Sequence, residues 1–167
     1  DGAKEVSVEF NSLSKTYNMA GWRLGMAVGN EKVIGYLHTY KSQTDSSHFT
    51  AVMDAGAAAL LGDQTWLGQR NDTYRQRRDI VVNELRRAGF DVATPPAAIY
   101  VWAHLPGAFS DANAYCEQLL DETGVSITPG GVYGQYGEGF IRISLGTPTD
   151  QLAEAMRRLA DWTVRSA

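Results

Sequence analysis

Strand-like and helix-like patterns alternate from one end of this sequence to the other, and that alternation predicts an α/β fold. Two segments weigh most. From Trp66 to Ala88 the residues Leu67, Tyr74, Val81, Leu85 and Ala88 recur at helical spacings, making one apolar stripe on a long helix. Val6-Ser7-Val8-Glu9-Phe10 alternates apolar and polar residues, as a strand buried on one face does, and Phe140-Ile141-Arg142-Ile143-Ser144-Leu145 is a stronger strand still. The 167 residues are 44 % hydrophobic and 20 % charged, enough for one domain with a core or for parts of two.

The remaining elements follow in order. The first strand delivers the chain into the loop Ser12–Lys15, and Leu24 to Val28 reads as a second strand closed by Gly29-Asn30. Glu31 to Lys41 is a helix with Val33, Ile34 and Leu37 on one side; Ser47 to Leu61 is an alanine-rich helix ended by Gly62-Asp63. Gly89 stops the long helix. Its polar face carries Arg70, Arg75, Arg77, Arg78, Arg86 and Arg87 among Asp72, Asp79 and Glu84, which predicts a solvated face of mixed ion pairs more than a basic binding face. After Thr94-Pro95-Pro96, Ile99 to Leu105 is a strand. Ser110 is placed to cap a helix running to Glu122 with Tyr115 and Leu119 inward, and Val125 to Thr128 is a short strand. Thr147-Pro148-Thr149-Asp150 announces the last helix with an N-cap, a proline at the first helical position and an acid at the third; Leu152, Met156 and Leu159 give it a buried face. There is no internal repeat and no low-complexity linker.

Composition narrows the function. A net charge of −4 gives no reason to expect a nucleic-acid partner, and no apolar run approaches the length of a membrane span. Cys116, the one cysteine, has no partner for an intrachain disulfide, which fits a reducing compartment. It lies in a helical pattern and reads as a small buried hydrophobe. His38, His48 and His104 lack second ligands at helical or turn spacing, so no metal site is expected.

The chemistry concentrates in Ser12-Leu13-Ser14-Lys15-Thr16-Tyr17-Asn18-Met19-Ala20-Gly21-Trp22-Arg23-Leu24-Gly25. Lysine amines capture aldehydes covalently and later serve as bases. Hydroxyls of Ser12 and Ser14 and the planar fork of Arg23 are donors suited to a phosphate, with Gly21 and Gly25 letting the backbone turn beside it. SxSK alone reads as a loop with a solvated lysine; Gly21, Arg23 and Gly25 in register reverse that reading. Arg142 stands mid-strand between two isoleucines, where an unpaired charge is costly, so it wants a carboxylate or phosphate, or else makes a structural salt bridge or lies on an exposed strand face. The glycines at 130, 131, 134, 137 and 139 lack the GK[ST] ending of a P-loop and the helix-opening context of a dinucleotide fold. They read as an active-site loop or a chain of turns. Tyr133 and Tyr136 either border a substrate pocket or pack at the surface.

The Ser12–Gly25 run resembles the cofactor-lysine signature of class I/II pyridoxal-phosphate aminotransferases, and the wording of Val8 to Met19 with Ile99-Tyr100-Val101-Trp102-Ala103 is similar to the LL-diaminopimelate aminotransferase-like branch. The resemblance covers essentially all of the chain but only the C-terminal part of a family member, so a fragment is expected. It implies fold type I, with residues 1–65 the end of the large domain, 66–89 an interdomain helix and 90–167 the small C-terminal α/β domain. It implies pyridoxal 5′-phosphate held by Lys15, with Ser12, Ser14 and Arg23 on its phosphate and Arg142 on the substrate α-carboxylate. It further implies ping-pong Schiff-base exchange of an amino group between an amino acid and a 2-oxo acid, a cytoplasmic homodimer with its active site at the interface, and weak or no activity for these residues alone, with a core face left uncovered. Two rival readings stay open: a C–S lyase or decarboxylase on the same fold, and the aminotransferase-like sensing domain of a transcription regulator.

Overall fold

In a computed structural model that describes residues Asp1–Ala167, the chain folds as two units, Asp1–Leu67 and Gly68–Ala167. The first unit contains a helical turn α1 (Ala3–Val6), strand β1 (Val8–Ser12), a second turn α2 (Leu13–Thr16), strand β2 (Gly25–Gly29) and helices α3 (Glu31–Thr44) and α4 (Thr50–Leu61). β1 and β2 pair antiparallel from Val8 opposite Gly29 to Ser12 opposite Gly25. The first strand therefore starts two residues later than its alternation suggests. Val6 is taken into α1, where Ser7 donates its hydroxyl to the Ala3 carbonyl, and the strand continues to Ser12 instead. Gly29 adopts φ +144°, and a Cβ there would collide with the Ser7 carbonyl, so only glycine closes this ribbon. Among the first unit's large apolar side chains only Leu13 and Met19 are buried, whereas Phe10 is 73 % and Leu61 87 % exposed.

The second unit carries its own core. It comprises α5 (Trp66–Arg87) from Gly68 onward, β3 (Tyr100–His104), α6 (Ala112–Thr123), β4 (Thr128–Pro129), β5 (Phe140–Ser144) and α7 (Thr149–Ser166). The sheet order is β3-β5-β4, antiparallel throughout. Period-two alternation divides its faces. Val101, Ala103, Ile141 and Ile143 point inward and pack with Val81, Leu85, Leu119, Met156, Leu159 and Trp162. Tyr100, Trp102, His104, Phe140 and Arg142 occupy the alternate positions, on the outward face.

Several local expectations shift for physical reasons. The cap of α6 is Asp111, not Ser110: its carboxylate accepts from the Asn113 and Ala114 amides, and an ionised acceptor is the stronger cap. Val125 is buried in the core rather than paired in a strand, and the short strand lies at Thr128–Pro129. α7 begins at Thr149 with Pro148, not Thr147, in the cap position; a proline side chain has no acceptor, so there is no side-chain cap, and the Thr149 hydroxyl accepts from Arg77 Nε. The arginines of α5 do more than meet solvent. Arg77 also donates to the Leu145 carbonyl, Arg78 to that of Pro95 and Arg86 to that of Val92, tying the segments before β3 and after β5 to the helix.

Leu159 is fully buried at the centre of this core. Leu159→Ala is expected to destabilise the unit by about 2–5 kcal/mol, read as a lower urea midpoint. A smaller, pH-linked effect lies on α7. Arg157 grips Glu154 through two nitrogens and Arg158 through one, holding its carboxyl down at about 2 from an ordinary 4.5. A depressed folded-state pKa means the contribution is complete above the ordinary value and fades as pH falls from about 4.5 toward about 2. A carbon-detected NMR titration of Glu154 should give that low midpoint; an ordinary carboxylate midpoint would show that the fork does not form.

Candidate active site

The Lys15 turn is fixed from below. Leu13, 2 % exposed, points inward toward α4, where Gly56 leaves room: a Cβ at Gly56 would strike Leu24 and lie 3.9 Å from Leu13 Cδ1. The Leu13 amide donates to the Leu24 carbonyl at 3.2 Å, continuing the β1–β2 ribbon into the turn. Ser12 caps α2, its Oγ accepting from the Ser14 amide at 3.2 Å, which leaves the Ser12 hydroxyl proton to donate elsewhere. Beyond the lysine, Tyr17 donates its hydroxyl to Gln64 Oε1 at 3.0 Å, and its ring lies 6.2 Å from that of Trp66. The Gln64 amide in turn donates to the Ala59 and Gly62 carbonyls at the end of α4. Leu13 and Tyr17 thus clamp both ends of the turn while Lys15 stays on its exposed side.

Arg23 follows on the same loop. Pairing of Ser12 with Gly25 brings the end of β1 opposite a residue two positions beyond Arg23. The tight bends fall on Asn18 (φ 55°) and on Arg23 itself (φ 53°), not on Gly21, where a Cβ would meet nothing. Gly25 does have a steric role, since a Cβ there would lie 2.8 Å from the Asn11 carbonyl. Arg23 Nη1 donates to the Ala20 carbonyl at 3.0 Å, and the Arg23 carbonyl is bonded to His48 Nε2 at 2.9 Å. Tyr17, Gln64 and His48 are supports that sequence reasoning missed. Their partners lie 25 and 47 positions away, and no local pattern signals a contact of that span.

Arg142 belongs to the second unit. On β5 it is paired opposite Trp102 of β3 and Thr128 of β4. Its guanidinium lies between two aromatic faces, 4.2 Å from the Tyr100 ring centre and 4.4 Å from that of Tyr133. Its Nε is buried without a hydrogen-bond partner, and no ion pair reaches it. The salt bridge that the sequence left open is therefore absent. An orphaned, half-buried donor is the kind of group that an incoming carboxylate satisfies.

No group of three or more His, Cys, Asp or Glu side chains converges on a metal-sized site. His104 bonds the neighbouring Leu105 carbonyl through Nδ1 and meets Phe140 edge-on. Burial pushes the Cys116 thiol up to about 11, which makes it a poor nucleophile. No helix is long and apolar enough to cross a membrane.

Residues 2–159 match the family model described as aminotransferase class I and II. The chain is 48 % identical over 162 residues to an LL-diaminopimelate aminotransferase of Dehalococcoides mccartyi, covering 97 % of this chain and 42 % of that protein. Its fold is similar to that of the aspartate aminotransferase from Rhizobium meliloti (TM-score 0.88, 31 % identity, 98 % of this chain and 43 % of that one). It is equally similar to the aromatic aminotransferase from Pyrococcus horikoshii (TM-score 0.89, 29 % identity, 97 % and 44 %). The chain thus spans less than half the length of the relatives it matches. A lysine turn built in this way, a fold shared with several aminotransferases and a family match across nearly every residue agree, and the chain belongs to the class I and II aminotransferases.

Proposed function

We propose that this chain supplies the cofactor lysine, the phosphate donors and the carboxylate-binding arginine of a pyridoxal-phosphate-dependent aminotransferase. The observation that carries the reading is Lys15 on an exposed turn, flanked by Ser12 and Ser14 and clamped through Leu13 and Tyr17. The donor set fits the cofactor. Two hydroxyls and a guanidinium, with no carboxylate among them, suit a phosphate dianion, and a lysine amine suits an aldehyde.

When bound, the cofactor supplies an electron sink that acidifies the substrate Cα–H. Lys15 Nζ would be the amine that holds the cofactor aldehyde and, when free, the base that moves the substrate Cα proton. Ser12, Ser14 and Arg23 anchor the phosphate so that this amine stays in register. Arg142 takes the substrate α-carboxylate, fixing which Cα bond is presented. Residues 1–65 would close the large domain, 66–89 link the domains and 90–167 form the small one, within a cytoplasmic homodimer. The 48 % identity to an LL-diaminopimelate aminotransferase supports LL-diaminopimelate as the amino-acid substrate, with 2-oxoglutarate proposed as its partner oxo acid.

The test uses the complete gene product encoding this chain, loaded with pyridoxal phosphate. LL-diaminopimelate carrying a labelled amino nitrogen is mixed with 2-oxoglutarate, and the label is followed by mass spectrometry. Label in glutamate, absent without 2-oxoglutarate as acceptor, is expected. Release of product over many turnovers without an acceptor would instead identify a lyase or decarboxylase.

A further inference from the structure

Arg142 is held by aromatic faces rather than by an acid, and this determines how it is able to bind. We infer that Tyr100 and Tyr133 are positioning residues that lock the plane of the Arg142 guanidinium, so that its edge meets the substrate carboxylate in one orientation. The inference rests on the reading that Arg142 takes that carboxylate.

Both rings stand within cation–π distance, at 4.2 and 4.4 Å. A guanidinium stacked on two faces keeps its N–H groups in the plane between them. A carboxylate accepts two parallel N–H bonds in that same plane. The buried, unpartnered Nε is one tooth of that fork, and its donor has nothing else to satisfy it.

The surrounding sequence builds the bracket. Tyr100 is one alternate position along β3 from Trp102, which pairs with Arg142, so its ring reaches the guanidinium diagonally. Tyr133 arrives from the glycine-rich loop. Gly130 and Gly137 pack backbone to backbone, where a Cβ on either would collide with the other's carbonyl oxygen, and a Cβ on Gly130 would also lie 2.8 Å from the Trp102 ring. Gly134, at φ +116°, turns the chain directly after Tyr133. Trp102 also meets the Tyr133 ring edge-on at 5.6 Å. The glycines allow the loop to approach the sheet closely enough for Tyr133, itself 48 % exposed, to stand against Arg142.

Two readouts test the inference. In the full 167-residue chain, labelled with nitrogen-15, the Arg142 Nε–H signal (assigned by its loss in Arg142→Lys) reports ring-current shift and the rate of rotation about Nε–Cζ. In the pyridoxal-phosphate-loaded gene product, KM and kcat for glutamate are measured for the same variants. The wild type and Tyr133→Phe should show a ring-shifted signal with slow rotation. Tyr133→Leu and Tyr100→Leu should lose both and raise KM roughly 2- to 30-fold, with kcat held within about twofold. Rotation that is equally fast in the wild type and Tyr133→Leu would overturn the inference. So would an unchanged KM in Tyr133→Leu while Arg142→Lys raises it, and that outcome would leave the carboxylate reading standing. An unchanged KM in Arg142→Lys would remove the carboxylate reading itself, and the inference with it.

Discussion

Lys15→Ala is expected to abolish covalent retention of pyridoxal phosphate by the complete gene product and to lower its turnover by at least about 10²–10⁴-fold, the range of a lost proton shuttle alone. The first effect is the sharper. Borohydride reduction followed by peptide mass mapping should find the cofactor on the peptide containing Lys15 in the wild type and nowhere in the variant. Lys15→Arg separates charge from chemistry: guanidinium stays protonated and cannot add to the aldehyde, so it should fail in the same way despite its positive charge. Folding is not at stake, because Lys15 lies on the exposed side of its turn and the anchors are Leu13 and Tyr17.

Arg142→Leu carries the second-largest effect. Truncating one partner of a hydrogen-bonded charge pair typically costs 2–5 kcal/mol of binding, so KM for the amino-acid donor should rise about 30- to 5000-fold. Stability should move the other way or hardly at all. Arg142 has a buried donor without a partner and no ion pair, so leucine removes a desolvated group instead of breaking a bridge. Only the two aromatic contacts are lost, and a change within about 1 kcal/mol in urea unfolding is expected. A large loss of stability with little change in KM would mark Arg142 as structural.

The contrast between these residues shows what a single sequence discloses. Elements with strong periodicity were legible: α5 runs Trp66–Arg87 with Val81, Leu85 and Ala88 buried, and Leu152, Met156 and Leu159 line the inner face of α7. Boundaries set by competing hydrogen bonds were less so. Asp111 outcompetes Ser110 as a cap, and Ser7 draws Val6 into a helical turn. The direction of strand pairing was not legible, since alternation has no sense, and every pair is antiparallel. Of the residues proposed to bind the cofactor, Ser12, Ser14, Lys15 and Arg23 stand close in sequence, so they could be proposed together from spacing. The bracket around Arg142 could not, because Tyr100 and Tyr133 reach it from a neighbouring strand and from a loop whose course depends on glycine packing. The tyrosines were visible only as aromatics near a glycine-rich stretch, a pattern equally suited to surface packing.

The central claim is that Lys15 binds pyridoxal phosphate in an enzyme that exchanges amino groups. Its most direct test is the visible absorption of the cofactor-loaded gene product before and after an amino acid is added without any 2-oxo acid. The account predicts that the band of the lysine-bound cofactor is replaced by that of the aminated cofactor, that 2-oxoglutarate restores it, and that Lys15→Ala shows neither band change. A lysine-bound band that no amino acid alters, or a lysine-bound band that persists in Lys15→Ala, would contradict it.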